Sequence, residues 1–226
     1  MLILQSSVIA LYKKNGLTQT VVCKPKMTEK ERKYYDRIKS NLIGLKIKEV
    51  FYEELDYETE LEYWEYSNEI HSVDMNVIFE LENGQILQIK WDNEFECYGI
   101  GLENLKKVTE REGFKTIKVT ENSNWKNLIG KKISEIKVLW DISEGLVTEY
   151  CGNKIIKSEN QTTKIPQSWE IEFENLKIWI SALEIKDGET DSFWADHLSI
   201  FFTNNGQEKY ELIKNASTQH RIKLML

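Results

Sequence analysis

Proline is almost missing from this chain of 226 residues: Pro25 and Pro166 are the whole supply, beside eleven glycines. That leaves no room for a flexible Pro/Gly-rich linker, so the parts of the chain should pack together. Cysteine is scarce as well, and Cys23, Cys97 and Cys151 are widely spaced and odd in number. Neither a disulfide framework nor a paired-Cys zinc knuckle is indicated, and the thiols are expected to be small buried hydrophobes. The apolar opening MLILQSSVIALY is broken by Gln5, Ser6 and Ser7, has no basic leader, and is too short for a membrane span of about 20 residues. It reads as a first strand. A reducing cytoplasm is the expected compartment.

Catalytic signatures are missing too. There is no Gly-x-Ser-x-Gly elbow, no Cys in a signature with a paired His, and no phosphate-cradling glycine loop. GIGLEN at 99–104 lacks the later glycine that a dinucleotide fingerprint requires. Carboxylates are too abundant for a catalytic pair to be argued from spacing. Of three histidines, His71 lies in EIHSVD, where Glu69, His71 and Asp74 offer a weak metal set for a hydrolase or nuclease, while a solvated edge position is the expected fate of a single His. His197 follows Asp196, but adjacent strand residues point to opposite faces, so a hydrogen-bonded strand residue is expected. His220 sits in a polar stretch without a visible partner. No enzyme activity, no cofactor and no metal are expected.

What the chain does contain is ordinary globular composition, 41% hydrophobic and 30% charged, together with an internal echo. NLIGLKIKEV at 41–50 recurs as NLIGKKISEI at 127–136, with seven of ten positions identical at an offset of 127 minus 41, or 86. Helix signals precede both copies. Thr28 and Glu31 have capping-box spacing, Tyr34, Tyr35, Ile38 and Leu42 give one apolar stripe, and Gly44 supplies the stop. In the second copy Asn122 or Ser123 caps a shorter helix through Trp125 and Leu128, ended by Gly130. Strands are predicted at 46–52 and 132–140.

FELEN at 79–83 and IEFEN at 171–175 continue the echo, each alternating apolar residues with Glu as a half-buried strand does. Asn83-Gly84 signals a hairpin into a strand at 85–91, and 176–185 follows the second copy. A further strand closes each half, at 96–102 and 197–203, and Asn15-Gly16 marks a hairpin near the start. A connecting helix is predicted at 103–112, with Leu105 and Val108 inward. The expected fold is therefore α+β, two tandem similar units, 1–112 and 113–226, each a short helix packed on an antiparallel β-meander, the first carrying an acidic aromatic insertion.

Charge is unevenly spread within the formal net of -7. From Glu49 through Ile89 there are twelve acids and no Lys or Arg, whereas Lys13 through Lys48 holds eleven bases against Glu29, Glu31 and Asp36. The acidic run contains YEELDYETELEYWEY, in which rings are interleaved with carboxylates. Such a surface suits capture of a basic protein, the acids speeding association and the aromatics slowing release. The predicted contact residues are Glu53, Glu54, Asp56, Tyr57, Glu58, Glu60, Glu62, Tyr63, Trp64, Glu65 and Tyr66. A bland alternative is a solvated insertion whose rings fold back on the core and whose acids meet the protein's own bases. Phosphates would be repelled, so direct nucleic-acid binding is not expected.

The paired NLIGLKIKEV and NLIGKKISEI segments and the Tyr/Glu-rich stretch 51–66, in a small acidic α+β chain without catalytic motifs, resemble the immunity proteins of bacterial polymorphic toxin systems. The resemblance implies a protein that binds one cognate toxin tightly and blocks its active site or substrate groove. Toxins of this kind are often nucleases with basic surfaces. A structural module of a phage or mobile element, with the repeated units forming a pseudo-symmetric pair, is the other alternative.

Overall fold

Two residues start the main helix. The backbone N–H of Thr28 donates to Glu31 Oε2 at 2.7 Å, and the N–H of Glu31 donates to Thr28 Oγ1 at 3.2 Å, the reciprocal pair that satisfies orphan donors at a helix start. In the computed structural model, which describes residues 9–14, 17–22, 27–57, 64–95, 99–152, 154–186, 189–192, 197–209 and 218–223, helix α1 follows at Glu29–Leu42. Tyr34, Tyr35, Ile38 and Leu42 are its buried positions, as their spacing predicts. Gly44, at φ 84, is the left-handed stop.

The chain forms two compact units, Met1–Arg37 and Ile38–Leu226. The first holds the antiparallel hairpin of β1 (Ile9–Lys14) and β2 (Leu17–Val22), closed at the Lys14 and Leu17 pair, and most of α1. Asn15 and Gly16 themselves lie outside the described residues, as does the start of the predicted first strand.

The second unit is α+β and mostly antiparallel sheet. Its first strands are β3 (Ile47–Leu55), β4 (Trp64–Ser67), β5 (Ile70–Val73), β6 (Asn76–Leu81), β7 (Ile86–Asp92), β8 (Gly99–Leu105) and β9 (Phe114–Lys118). After the short α2 (Ser123–Lys126) come β10 (Ile133–Cys151), β11 (Lys154–Phe173), β12 (Leu176–Ser181), β13 (Glu184–Lys186), β14 (Glu189–Ser192), β15 (Leu198–Phe201), α3 (Asn204–Lys209) and β16 (Thr218–Lys223). One sheet has the order β8-β7-β6-β3-β9, the other β16-β10-β11-β12-β15-β5-β4, and β13 pairs with β14. Residue 112, the expected boundary, falls between β8 and β9 inside this unit. The sheets take strands from both sides of it: β9 joins the strands before it, and the β4–β5 hairpin joins those after it.

The two copies of the repeated decapeptide meet. Gly44 N–H donates to the Ile133 carbonyl at 2.8 Å, and Gly130 N–H donates to the Ile47 carbonyl at 2.9 Å. Each bond maps onto the other at the offset of 130 minus 44, or 86, and Lys46 and Lys132 form an antiparallel bridge between them. Gly130 has φ 73, the same left-handed conformation as Gly44. Asn122 caps α2 by accepting from Asn124 N–H, and Trp125 and Leu128 are buried, as predicted.

Two expectations fail here for physical reasons. No helix forms at 103–112: β8 runs to Leu105 because Asn104 and Leu105 pair with Leu87 and Ile86, and the chain then passes through bends to Gly113. Sheet pairing overrides the local helical pattern. Second, Cys151 is exposed, at the tip of the long β10–β11 hairpin beside Gly152. Cys23 and Cys97 lie outside the described residues. GIGLEN is strand, as expected, and a Cβ on Gly101 would lie 1.6 Å from Asp92 Oδ2, so the glycine makes room for a neighbouring side chain.

A core of Ile70, Leu139, Trp179, Leu183, Ile185 and Phe201 joins strands of the seven-stranded sheet to β13.

Candidate functional site, a buried carboxylate cluster

Strand β3 alternates, with Val50 and Tyr52 fully buried and Glu54 next in the same phase. The pattern that puts apolar side chains inward therefore carries one carboxyl inward as well. Glu54 is only 7% exposed, and its Oε1 has no hydrogen-bond partner. The backbone N–H of Asp74 donates to this carboxyl group. Asp74 itself, in the bend between β5 and β6, is 3.1 Å from His197 Nε2 at the start of β15, and Glu184 of β13 lies 3.8 Å from the same nitrogen. Tyr57, just beyond β3, has a 63% exposed ring whose hydroxyl hydrogen-bonds Asp74.

Burial, and then the negative charge of Asp74, push the Glu54 carboxyl up to about 8 from its ordinary 4.5. Loss of solvent at the ring's tip raises the Tyr57 phenol, followed by the charges of Asp74, Glu54 and Glu184. Lys115 of β9 stands opposite Glu54 in the sheet register, but its ammonium pairs with Asp56 at 3.1 Å. Four distant stretches of chain thus bring three carboxyls, a phenol and an imidazole together.

The predicted contact surface does not stay together in the fold. Glu53, expected to be exposed, is 2% exposed on the opposite side of β3, gripped by Arg111 through Nε to Oε1 at 2.9 Å and Nη2 to Oε2 at 2.7 Å. Asn76 and Gln88 also donate to it, and the Arg111 guanidinium lies 4.2 Å from the Phe114 ring centre. Glu54, also expected to be exposed, is buried as described. Both corrections have one cause: the strand continues to Leu55, so these residues are sheet positions and not part of a loop. Asp56 and Tyr57 are exposed, as expected. Glu58, Glu60, Glu62 and Tyr63 lie outside the described residues, and so do the side chains of Trp64, Glu65 and Tyr66, whose backbone forms β4.

Much of the acidic run is answered internally. Lys118 pairs with Glu49 at 2.7 Å, Lys48 with Glu80 at 2.5 Å and Lys46 with Glu82 at 3.7 Å. Buried Glu170 on the other sheet is met by Lys137 and Lys177. The Glu54 cluster differs: among the described residues His197 meets two of its carboxyls, while the Lys115 ammonium pairs with Asp56 outside it.

No family model matches this chain, and neither the curated proteins nor the solved structures give a match.

Sequence reading grouped Glu69, His71 and Asp74, but the structure does not bring them together as a site. His71 is fully buried, against the expected solvated edge, because β5 lies inside the sheet between β15 and β4. Its Nδ1 is 2.7 Å from the Tyr52 hydroxyl, and Trp125 Nε1 donates to that hydroxyl at 2.6 Å. An indole N–H only donates, so the Tyr52 oxygen accepts from Trp125, and the imidazole tautomer sets which way the Tyr52–His71 bond runs. Burial lowers His71 to about 4, which keeps the imidazole neutral. His197 meets Asp74 and Glu184, both far away in sequence. Asp196 lies outside the described residues, and His220 is on β16, its side chain likewise outside them. Among the described residues, no group of three or more His, Cys, Asp or Glu is arranged to hold a metal ion, and no helix is long and apolar enough to cross a membrane.

Proposed function

We propose that this chain is a binding and inhibitory protein that captures a basic protein partner, in the manner of an immunity protein neutralising a cognate toxin, a nuclease being the favoured kind. The observation that carries the proposal is the imbalance around Glu54: a buried carboxyl with an unpartnered oxygen, beside Asp74 and Glu184, with an exposed Tyr57 at its mouth. A cation from outside relieves that imbalance, and the ring adds rigid contact area. The docking face is therefore centred on Tyr57, Asp56 and the Glu54 cluster, and extends along 58–66. The proposed setting is the cytoplasm, with no catalysis, cofactor or direct nucleic-acid contact of its own.

We also read the fold as an internal duplication, α1-β3-β6-β7-β8 answering α2-β10-β11-β12-β15. The exchanged bonds at Gly44 and Gly130 and the matching strand orders support it. The structural-module alternative draws support from one feature, the β10–β11 arm with its exposed Leu146, Ile155 and Ile156.

The test is co-expression. Each protein encoded beside this one is expressed alone and then with this chain, and growth is measured. One neighbour should arrest growth and be neutralised, and Tyr57→Ala with Asp56→Lys should weaken neutralisation at least about tenfold in dose, the scale of one lost hot spot. If no neighbour is toxic, or the double variant protects as well as the parent, the proposal fails.

A further inference from the structure

Resting on that binding role, we infer that the cluster of Glu54, Asp74 and Glu184 takes the guanidinium of a single arginine side chain presented by the partner, with the Tyr57 ring stacked over it. Three observations converge on this ligand. Glu54 is more than nine-tenths buried, and one of its carboxyl oxygens has no donor, although buried acceptors are almost always paired. The acceptors come from three separate elements and do not converge on one point suited to a metal ion. A flat fork of five N–H donors reaches spread acceptors, whereas an ammonium is compact and more strongly hydrated.

The third observation is the neighbouring residue. On the other side of β3, Glu53 is equally buried and is satisfied by a two-pronged contact from Arg111, whose guanidinium lies over Phe114. Glu54 is buried as well and has a ring at hand, but among the described residues no guanidinium meets it. The chain thus shows on one side of the strand the arrangement that the other side is prepared to receive.

The groups facing Glu54 fix how binding depends on pH. They are Tyr57, Asp74 from the β5–β6 bend, Glu184 from β13, His197 from β15, and Lys115 from β9, whose ammonium is turned toward Asp56. Without the arginine the Glu54 carboxyl titrates near 8, so it is mostly protonated at neutral pH. An arriving guanidinium favours the carboxylate and expels that proton. Binding should strengthen as pH rises toward 8.

The experiment titrates the full chain with acetyl-Gly-Arg-Gly-amide and with its lysine counterpart, by calorimetry in two buffers of different ionisation enthalpy. The arginine peptide should bind at least about tenfold more tightly than the lysine peptide, a difference within reach of one bidentate contact. It should release a proton at pH 7 and none at pH 9. Glu54→Gln should abolish the release and weaken binding about tenfold or more, and Glu184→Gln should weaken binding while keeping the release. Equal binding of the two peptides, no binding of either, or unchanged proton release in Glu54→Gln overturns the inference. If arginine binding fails while a neighbouring toxin is still neutralised, the cluster assignment falls and the binding role stands. Arginine binding without any neutralised neighbour leaves the cluster assignment and removes the role.

Discussion

Tyr52 shows how much one hydroxyl decides. It accepts from Trp125 and hydrogen-bonds His71 Nδ1, and the rings of Phe79 and Phe202 close around the group. The fold holds His71 neutral and Glu54 protonated, and the two have opposite consequences for stability. His71, lowered from 6.5 to about 4, contributes stability that is present above pH 6.5 and lost as pH falls through 4. Glu54, raised from 4.5 to about 8, contributes stability that is full below pH 4.5 and lost as pH rises through 8. The two slopes oppose between pH 4.5 and 6.5, so thermal stability should be level there, fall below it and fall again toward pH 8. Glu54→Gln should remove the decline toward pH 8, a change of up to about 4 kcal/mol there on the ordinary conversion of pKa into free energy, and turn the level stretch between pH 4.5 and 6.5 into a rise with pH. Scanning calorimetry of both proteins checks this, and identical profiles above pH 6.5 would refute it. Glu54 was legible in the sequence as a member of an acidic run, and the alternation Val50, Tyr52, Glu54 was there to be read. Its burial was not, because it depends on how far β3 extends.

Among the elements, the helix ends were the most legible. Thr28 with Glu31, Asn122, Gly44 and Gly130 act through bonds and sterics within a few residues, so spacing alone reveals them. Both glycines have positive φ, and each N–H donates across to the other copy. Gly44→Ala and Gly130→Ala should each cost about 1–2 kcal/mol, the penalty of a left-handed non-glycine residue. Under duplication the two costs should agree within about 0.5 kcal/mol by urea denaturation, and a cost at one site only would argue against the equivalence. The segment 103–112 was misread as helix for the opposite reason. Its apolar spacing fits a helix, but the unpaired edge of β7 is satisfied only if the chain stays extended.

Across the whole molecule, one element stands apart. β10 pairs with β16 only through Glu135–Trp140, and β12 covers β11 only from Ser168, so the stretch between runs out as a two-stranded arm. Pro166, which has no N–H to give, sits at the irregularity where the arm begins, a position strands tolerate. Leu146, Ile155 and Ile156 are 62–68% exposed on it, so the arm contributes little to the core. Replacing 143–163 by a two-residue Asn-Gly turn should leave the thermal midpoint within about 4 °C, the upper end of the shift that about 1 kcal/mol produces at this size. A larger drop would mean that the arm supports the fold.

By itself the sequence determined the α+β class, the helix caps, the hairpin at Asn83-Gly84 and the likeness of two decapeptides, because each depends on neighbours along the chain. Only the tertiary structure decided that Arg111 answers Glu53 across 58 residues, that Trp125 reaches Tyr52 across 73, and that Asp74, Glu184 and His197 surround Glu54. Those pairings follow from which strands lie side by side, and strand order is set by burial summed over the entire chain. No local spacing encodes it.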